Sequence, residues 1–261
     1  MARMRRALIV GPMRENAYMQ LYRDDGVVLR TQKLGEADRI ITVLARKTGR
    51  VRAVAKGVRR TKSRFGARLE PFTHVDLLLY PGRSLDVITQ AEVIRPYGAP
   101  LTADYPRYTA GVAMLETAER FTPEDKEPSL RQFLLLVGGL RALAEASHDP
   151  RLVLDAYLLR SLSVAGYAPA LEECARCGAS GRLPAFAIPS GGMVCASCRP
   201  PGAASPGAAT VSLMRALLQG DWDSADQSER RQQVECSGLV AAYVQWHLEH
   251  SIRSLRHVER V

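Results

Sequence analysis

The sequence contains no apolar run of about 18 residues or more, so no segment of it is suited to cross a bilayer as a helix. Residues 1–11 are basic, and their apolar run is too short for a signal peptide. Hydrophobic residues make up 46% and charged residues 24% of the 261 positions, which excludes global disorder. These features predict a cytoplasmic globular protein.

The motifs of several common enzyme classes are also missing. There is no Walker A loop, no GxSxG nucleophile elbow and no HExxH zinc motif. The five histidines have no ligand or triad spacing with other candidates; they are His74, His148, His247, His250 and His257. Glu36 and Asp38 would suit a metal-dependent nuclease, but a polar turn is the alternative, because no acidic residue follows before Glu70. The sequence therefore predicts a protein without catalytic activity.

Acidic residues are absent from one long stretch. None occurs from Arg39 to Leu69, a run of 31 residues that holds 11 Lys and Arg. The net charge is +9, but residues 1–100 carry 20 Lys and Arg against 9 Asp and Glu, whereas residues 101–261 carry 16 against 18. The positive excess therefore lies in the N-terminal part, where it would attract a polyanion such as nucleic acid.

Period-two alternation predicts five short strands in the first hundred residues, at 27–31, 40–45, 51–58, 73–80 and 85–93. In the last of them, Leu85, Val87, Thr89 and Ala91 share the predicted buried face. Five short antiparallel strands in this space suit a small closed barrel, of which the OB-fold is the common oligonucleotide-binding form.

After Pro96 the pattern becomes helical, with predicted helices at 102–121, 129–146, 150–165, 211–218 and 229–255. The second of these has an apolar stripe, which consists of Leu130, Phe133, Leu134, Val137 and Leu140. A loop-rich segment interrupts the helices between about residues 167 and 209. The fold class is therefore α+β and multidomain, with a β-barrel followed by a helical domain.

Four of the five cysteines predict an embedded metal module. Two C-x2-C pairs, separated by 17 residues, have the spacing of a zinc ribbon; the ligands are Cys174, Cys177, Cys195 and Cys198. Four protein thiolates leave no position open for water, so one structural Zn2+ per chain is expected. Two disulfides or two redox motifs are the alternatives, and a cytoplasmic location counts against disulfides. Cys236 lies in a helical stretch and is expected to be a buried small hydrophobe.

A basic segment at the end of the third strand is the second motif. Together with basic residues of the strands before it, it supplies the predicted DNA contacts: Lys33, Arg39, Arg52, Lys56, Arg59, Arg60, Lys62 and Arg64. Such side chains contact phosphates and position the protein without reading bases. A solvated charged loop is the alternative. Phe65 and Phe72 could stack on bases, but each taken singly is expected in the core.

Several short motifs resemble those of the bacterial recombination mediator family RecO, in the same order. They are GVVL (26–29), LGEADRI (34–40), VAKGVRR (54–60), SRF (63–65), LEPF (69–72), QAE (90–92), GYAP (166–169) and the four-cysteine module. The resemblance covers residues 26–199 and continues more weakly after that. It departs at the N-terminus, where the first 25 residues are a basic arm, an extra strand or an over-long gene start.

The resemblance implies a division into five parts. Residues 1–25 are an N-terminal extension, 26–98 an OB-fold DNA-binding domain and 99–168 a helical domain. Residues 169–209 are a zinc module and linker, and 210–261 are C-terminal helices that complete the helical domain.

The resemblance also implies a function. It predicts a non-catalytic, nucleoid-associated protein of the RecF pathway of recombinational repair that binds single- and double-stranded DNA and anneals complementary strands. It further predicts binding to RecR and to the C-terminal tail of single-stranded DNA-binding protein, help in loading RecA, and RecF and RecA as candidate partners. A metal-dependent nuclease and a zinc-stabilised adaptor for acidic proteins are the alternatives.

The tail of single-stranded DNA-binding protein is acidic with an apolar end, so its site needs an apolar groove with a cationic rim. The candidates are arginines that flank the Leu-rich second and third helices: Arg131, Arg151 and Arg160. Ordinary solvated arginines on amphipathic helices are the alternative for each.

Overall fold

The computed structural model describes residues 20–61, 63–123 and 126–248. Its first part is a closed barrel whose strands are β1 (Tyr22–Leu34), β2 (Asp38–Ala45), β3 (Gly49–Ala55), β4 (Thr73–Tyr80) and β5 (Asp86–Pro96). The strand order is β1-β2-β3-β5-β4, with β4 pairing back to β1. Only the β3–β5 contact is parallel. This is the predicted OB-type barrel, so the fold class is confirmed.

The barrel interior is filled by the inward-facing residues of all five strands. Residues of the segment between β3 and β4 close one end of it, because Val58, Phe65 and Leu69 join the same apolar cluster. Phe65 and Phe72 are only 2% and 4% exposed, so both are core residues, as expected.

Two strands differ from the sequence prediction. β1 begins at Tyr22 rather than at residue 27, because the charged residues that obscured its pattern are paired: Asp24 accepts hydrogen bonds from the backbone of Lys47 and Thr48. The predicted buried face of β5 was right for Ala91 and wrong for Leu85, Val87 and Thr89, which are partly exposed. Asp86 and Ile88 point inward instead, and a register shift between Leu78 and Leu79 returns Ala91 to the interior.

Seven α-helices follow in the described chain: α1 (Gly98–Thr102), α2 (Tyr105–Phe121), α3 (Leu130–Glu145), α4 (Pro150–Val164), α5 (Ala208–Gln219), α6 (Trp222–Asp226) and α7 (Arg230–His247). Asp104 and Asp149 cap α2 and α4, each ahead of a proline in the first turn. Within the described ranges, no helix is both long and apolar enough to cross a membrane.

The helical prediction was right in outline and wrong in places. In α3, Leu130 and Leu134 are 45% and 52% exposed, and Leu136 and Leu143 take the buried positions. The short helix α6 was not predicted. The expected continuation of the last helix to residue 255 lies outside the described residues.

The helical part packs directly on the barrel. Val27, Leu29 and Leu44 on the outer barrel wall belong to the same apolar cluster as the helices. Gly49 has φ +82° and lies so close to the α2–α3 connection that a Cβ there would be 1.9 Å from the carbonyl oxygen of Glu127. The barrel and helices are therefore held by both apolar and backbone contacts.

Candidate metal centre and nucleic-acid interface

The four predicted ligands meet in a small module between α4 and α5. A hairpin of β6 (Ala185–Ala187) and β7 (Gly192–Val194) carries one cysteine pair, and the other pair precedes it. The four Sγ atoms all lie within 4.8 Å of one another. None of the cysteines is in a disulfide. Among the described residues, this is the only place where three or more potential metal ligands meet.

The geometry of the cluster fits a tetrahedral metal. Four sulfurs that each lie about 2.3 Å from one zinc are roughly 3.8 Å apart, and Cys177 Sγ and Cys195 Sγ are separated by 3.9 Å. The turn that carries Cys174 and Cys177 is tight, since the N–H of Gly178 donates to the carbonyl of Cys174 at 2.8 Å and Gly178 has φ +70°. The four cysteines could therefore hold a metal ion.

The thiols of this cluster influence one another. Backbone N–H groups, foremost that of Cys195, lower the pKa of Cys174 to about 6. Hydrogen bonds with Cys195 and Cys177 raise the pKa of Cys198 to about 12. The Cys198 thiol is therefore harder to ionise beside its neighbours, and a bound cation would offset that effect. Cys236 is fully buried elsewhere, among helices, and burial raises its pKa.

The basic candidates gather mainly at one end of the barrel, which we call the basic end. Lys33 and Arg39 are directly paired across β1 and β2, and Arg39 is paired with Ala55 at the end of β3. The segment after β3 then folds against the β1–β2 turn, where Arg59 N–H donates to the carbonyl of Ala37 at 3.0 Å. Residues far apart in sequence are thus brought together at this end.

Some basic side chains at this end also hold the local structure. Arg39 forms an ion pair with Glu70 at 2.6 Å. The Arg59 guanidinium donates to the carbonyls of Gly35 and Glu36 at 3.3 and 2.9 Å. Part of the donor capacity of Arg39 and Arg59 is therefore already used within the protein.

Other candidates are exposed and unengaged. The side chains of Lys33, Arg52, Lys56 and Arg60 have no ion-pair or hydrogen-bond partner among the described residues. Arg64 lies over the ring of Phe65, 4.7 Å from its centroid. Lys62 lies outside the described residues.

The candidates do not all share one surface. Arg52 is on the outer wall of the barrel, directly opposite Thr42 of β2, rather than at the basic end. The exposed Arg83 in the β4–β5 connection was not predicted as a contact. Its position could have predicted it as a DNA contact, because the β4–β5 connection flanks the ligand-binding face of OB-folds.

The acidic pair that suggested a nuclease does not form a metal site with other ligands in the described chain. Asp38 Oδ1 accepts a hydrogen bond from Gly57 N–H at 2.7 Å. Its carboxylate therefore fastens the start of the basic segment to the β1–β2 turn, and Glu36 lies exposed in that turn.

A groove lies between α3, α4 and α6, with a volume of about 380 Å³. Its walls include Leu134, Leu135 and Val153, and Trp222 stacks on His148 with ring centroids 4.0 Å apart. Of the three predicted arginines, Arg160 lines this groove, whereas Arg131 and Arg151 do not.

Arg160 is anchored at the groove wall. Its Nε donates to the carbonyl of Leu217 at 3.0 Å, and its guanidinium lies 6.0 Å from the Trp222 ring centroid. Burial lowers the pKa of its guanidinium. Arg141, which was not predicted, supplies an exposed cation on the groove.

Comparisons with known proteins cover almost the whole chain. The family model for the Recombination protein O N terminal matches residues 19–97, and that for its C terminal matches residues 102–256. The chain belongs to the RecO family. It is 69% identical over 242 residues to the DNA repair protein RecO of Thermobifida fusca, which covers 93% of this chain and all of that relative. It is 60% identical over 248 residues to the protein of the same name in Streptomyces griseus, and 62% over 242 residues to that of Frankia casuarinae.

Each of these three relatives is covered over its full length by 93% of this chain. The barrel coincides with the N-terminal RecO model, and the helices with their four cysteines coincide with the C-terminal one.

Proposed function

We propose that this protein is a non-catalytic DNA-binding protein of recombinational repair that binds single- and double-stranded DNA and anneals complementary strands. One observation carries the proposal: exposed cations converge on one end and one wall of an OB-type barrel in a RecO-family chain. Phosphate contacts of this kind are independent of sequence. A surface that neutralises phosphates also lowers the repulsion between two strands, which favours their annealing.

The four-cysteine centre is proposed to hold one structural Zn2+ per chain. Thiolate ligands suit zinc, and four of them leave no open position for catalytic water. In this role Cys174, Cys177, Cys195 and Cys198 fix the loop-rich module between α4 and α5, and bound zinc supplies folding free energy there.

Protein partners are proposed as well: RecR and the acidic C-terminal tail of single-stranded DNA-binding protein, with RecF and RecA as further candidates. Through them the protein is proposed to help load RecA at the nucleoid. The helical part is proposed to receive the tail. The groove between α3, α4 and α6 supports the proposal for the tail, since Leu134 and Trp222 offer apolar contacts and Arg141 and Arg160 offer cations.

One assay separates this proposal from the two alternatives. Purified protein is incubated with labelled complementary single strands and magnesium. Binding and faster annealing support the proposal, whereas strand cleavage supports a nuclease that uses Glu36 and Asp38. Neither effect, at low salt where phosphate contacts are strongest, supports an adaptor for acidic proteins.

A further inference from the structure

A continuous row of side chains crosses the outer wall of the barrel. Tyr80 of β4 is paired with Val87 of β5, which is paired with Val54 of β3. Val54 is paired with Ile40 of β2, which is paired with Gln32 of β1. Directly paired residues point to the same side of a sheet. These five residues, which we call the outer row, therefore form one strip across all five strands.

The outer row faces solvent at the surface of a folded barrel. Tyr80 is 45% exposed, and the other four residues are partly exposed. By contrast, a neighbouring part of the same wall is covered by helices, where Leu44 and Val27 are fully buried. The outer row is thus a mainly apolar strip, with the ring of Tyr80 at one end and the polar Gln32 at the other, that no described part of the chain covers.

Cations lie on both sides of this strip. Arg52 lies two positions before Val54 on β3, so it points outward about 6.6 Å along the strand, and Lys56 is exposed in the turn that directly follows β3. Neither side chain has an ion-pair partner in the described ranges. Arg83 is exposed in the connection that follows Tyr80. An apolar strip between unpaired cations is complementary to a chain of flat apolar rings joined by anionic groups.

We propose that the outer row binds the unpaired bases of single-stranded DNA, with one base stacked on Tyr80. The proposal rests on the DNA binding proposed above and adds a reason for preferring single strands. In a duplex the faces of the bases are stacked inside the helix, so only phosphates, sugars and base edges reach the protein. Stacking on an exposed ring requires an unpaired base and tolerates any sequence. The position of Tyr80 on the barrel that carries the proposed DNA contacts favours a base over the apolar side chain of an acidic protein.

The test uses the full chain and three labelled ligands: an oligothymidylate of about 20 nucleotides, the same backbone with abasic sites, and a duplex of the same length. Four proteins are compared by fluorescence anisotropy: wild type, Tyr80→Ala, Tyr80→Phe and Tyr105→Ala. Tyr105 is 56% exposed on α2 and away from the outer row, so it is a matched control.

We expect Tyr80→Ala to weaken binding to oligothymidylate by roughly 5- to 100-fold, as expected for loss of one stacked base. The affinities of Tyr80→Phe and Tyr105→Ala for oligothymidylate should stay within about twofold of the wild-type affinity. The affinities of Tyr80→Ala for the duplex and for the abasic strand should also stay within about twofold of the wild-type values. Equal thermal midpoints establish that all four proteins are folded. In a second measurement, wild-type protein is photo-cross-linked to a strand that contains 5-iododeoxyuridine. The strand should become attached to the peptide that contains Tyr80.

The outcomes separate this inference from the proposed function. If wild type binds DNA but Tyr80→Ala is unchanged, or is weakened equally for all three ligands, the outer row does not bind bases and the inference is wrong. Cross-links confined to peptides outside the barrel also contradict it. If wild type binds none of the ligands at low salt, the proposed DNA binding itself fails.

Discussion

The carboxylate of Asp86 accepts two hydrogen bonds from Lys126 Nζ, at 2.8 and 2.7 Å, and this pair joins β5 to the segment that leads into α3. Asp86 is 1% exposed and also bonds with Tyr22 OH and with Gly82 N–H. Burial alone would raise the pKa of Asp86. The hydrogen bonds from Lys126 and Tyr22 outweigh burial and hold that pKa below its usual value.

Asp86→Asn is predicted to destabilise the protein by about 2 kcal/mol near neutral pH, since it replaces charged hydrogen bonds. Because folding lowers the pKa of Asp86, its contribution is present above the pKa of the unfolded carboxyl, about 3.9, and is lost as the pH falls through the folded value. The difference between wild type and Asp86→Asn should therefore shrink below about pH 4. Urea unfolding at several pH values measures it.

Asp76→Asn is the control for that prediction, because Asp76 pairs with the exposed Arg23 on the outside of the barrel. Exposed ion pairs contribute little to stability. If Asp76→Asn lowered the free energy of unfolding as much as Asp86→Asn does, the pair of Asp86 and Lys126 would contribute no more to stability than an exposed ion pair.

Arg60→Ala is predicted to weaken DNA binding equally for different sequences. Removal of one phosphate contact should lower the salt slope by roughly 0.7 for single strands and 0.9 for duplex. The thermal midpoint should hardly change, since Arg60 is exposed and unpaired within the described chain. Arg231→Ala, an exposed arginine on α7, should leave the slope unchanged. Equal slopes for Arg60→Ala and wild type would remove Arg60 from the interface.

Arg59→Ala should behave differently from Arg60→Ala. Its guanidinium bonds to the carbonyls of Gly35 and Glu36, so its loss also loosens the contact between the basic segment and the β1–β2 turn. We expect both weaker DNA binding and faster proteolysis of the segment after β3. Binding that falls without any change in proteolysis would show that Arg59 acts through phosphate alone.

Cys177→Ser is predicted to abolish stoichiometric zinc, whereas Cys236→Ser should retain it because Cys236 is buried away from the cluster. The loss should open the module around β6 and β7, since structural zinc contributes on the order of 10–16 kcal/mol in isolated zinc-finger peptides. Metal analysis and limited proteolysis measure the two effects. One zinc per chain in a protein lacking both Cys174 and Cys177 would refute the assignment.

Binding of a metal by these thiols should also depend on pH. Ligand thiols must lose their protons, so acid competes with the metal. Metal release to a chelator should become faster as the pH is lowered. A release rate that is independent of pH would argue against thiolate ligation.

The sequence predicted those features that depend on local spacing. Two C-x2-C pairs bring their thiols together in short turns, and strand alternation revealed the barrel. It did not predict the buried face of β5, because Asp86 is stabilised there by Lys126, which is distant in sequence. It also missed the groove wall at Trp222, because α6 is too short for a periodic pattern.

The groove between α3, α4 and α6 leads to the last prediction, which concerns a synthetic peptide of the acidic, apolar-ended tail. Arg141→Ala should weaken binding of this peptide by roughly 10-fold, as expected for loss of one charged hydrogen bond. Leu134→Ser should also weaken it, because the exposed Leu134 lines the apolar wall. Both substitutions alter surface residues, so the fold should persist. Fluorescence anisotropy with labelled peptide measures the affinity.

Arg131→Ala is the matched control, because Arg131 is exposed on the same helix as Arg141 but does not line the groove. The affinity of Arg131→Ala for the peptide should equal that of wild type. All three variants should bind DNA as wild type does, since the basic end lies on the barrel. Added salt should weaken binding of wild type more than that of Arg141→Ala, because the variant has one ion pair fewer to screen. Loss of peptide binding in Arg131→Ala with full binding in Arg141→Ala would place the tail outside this groove, on the N-terminal turn of α3.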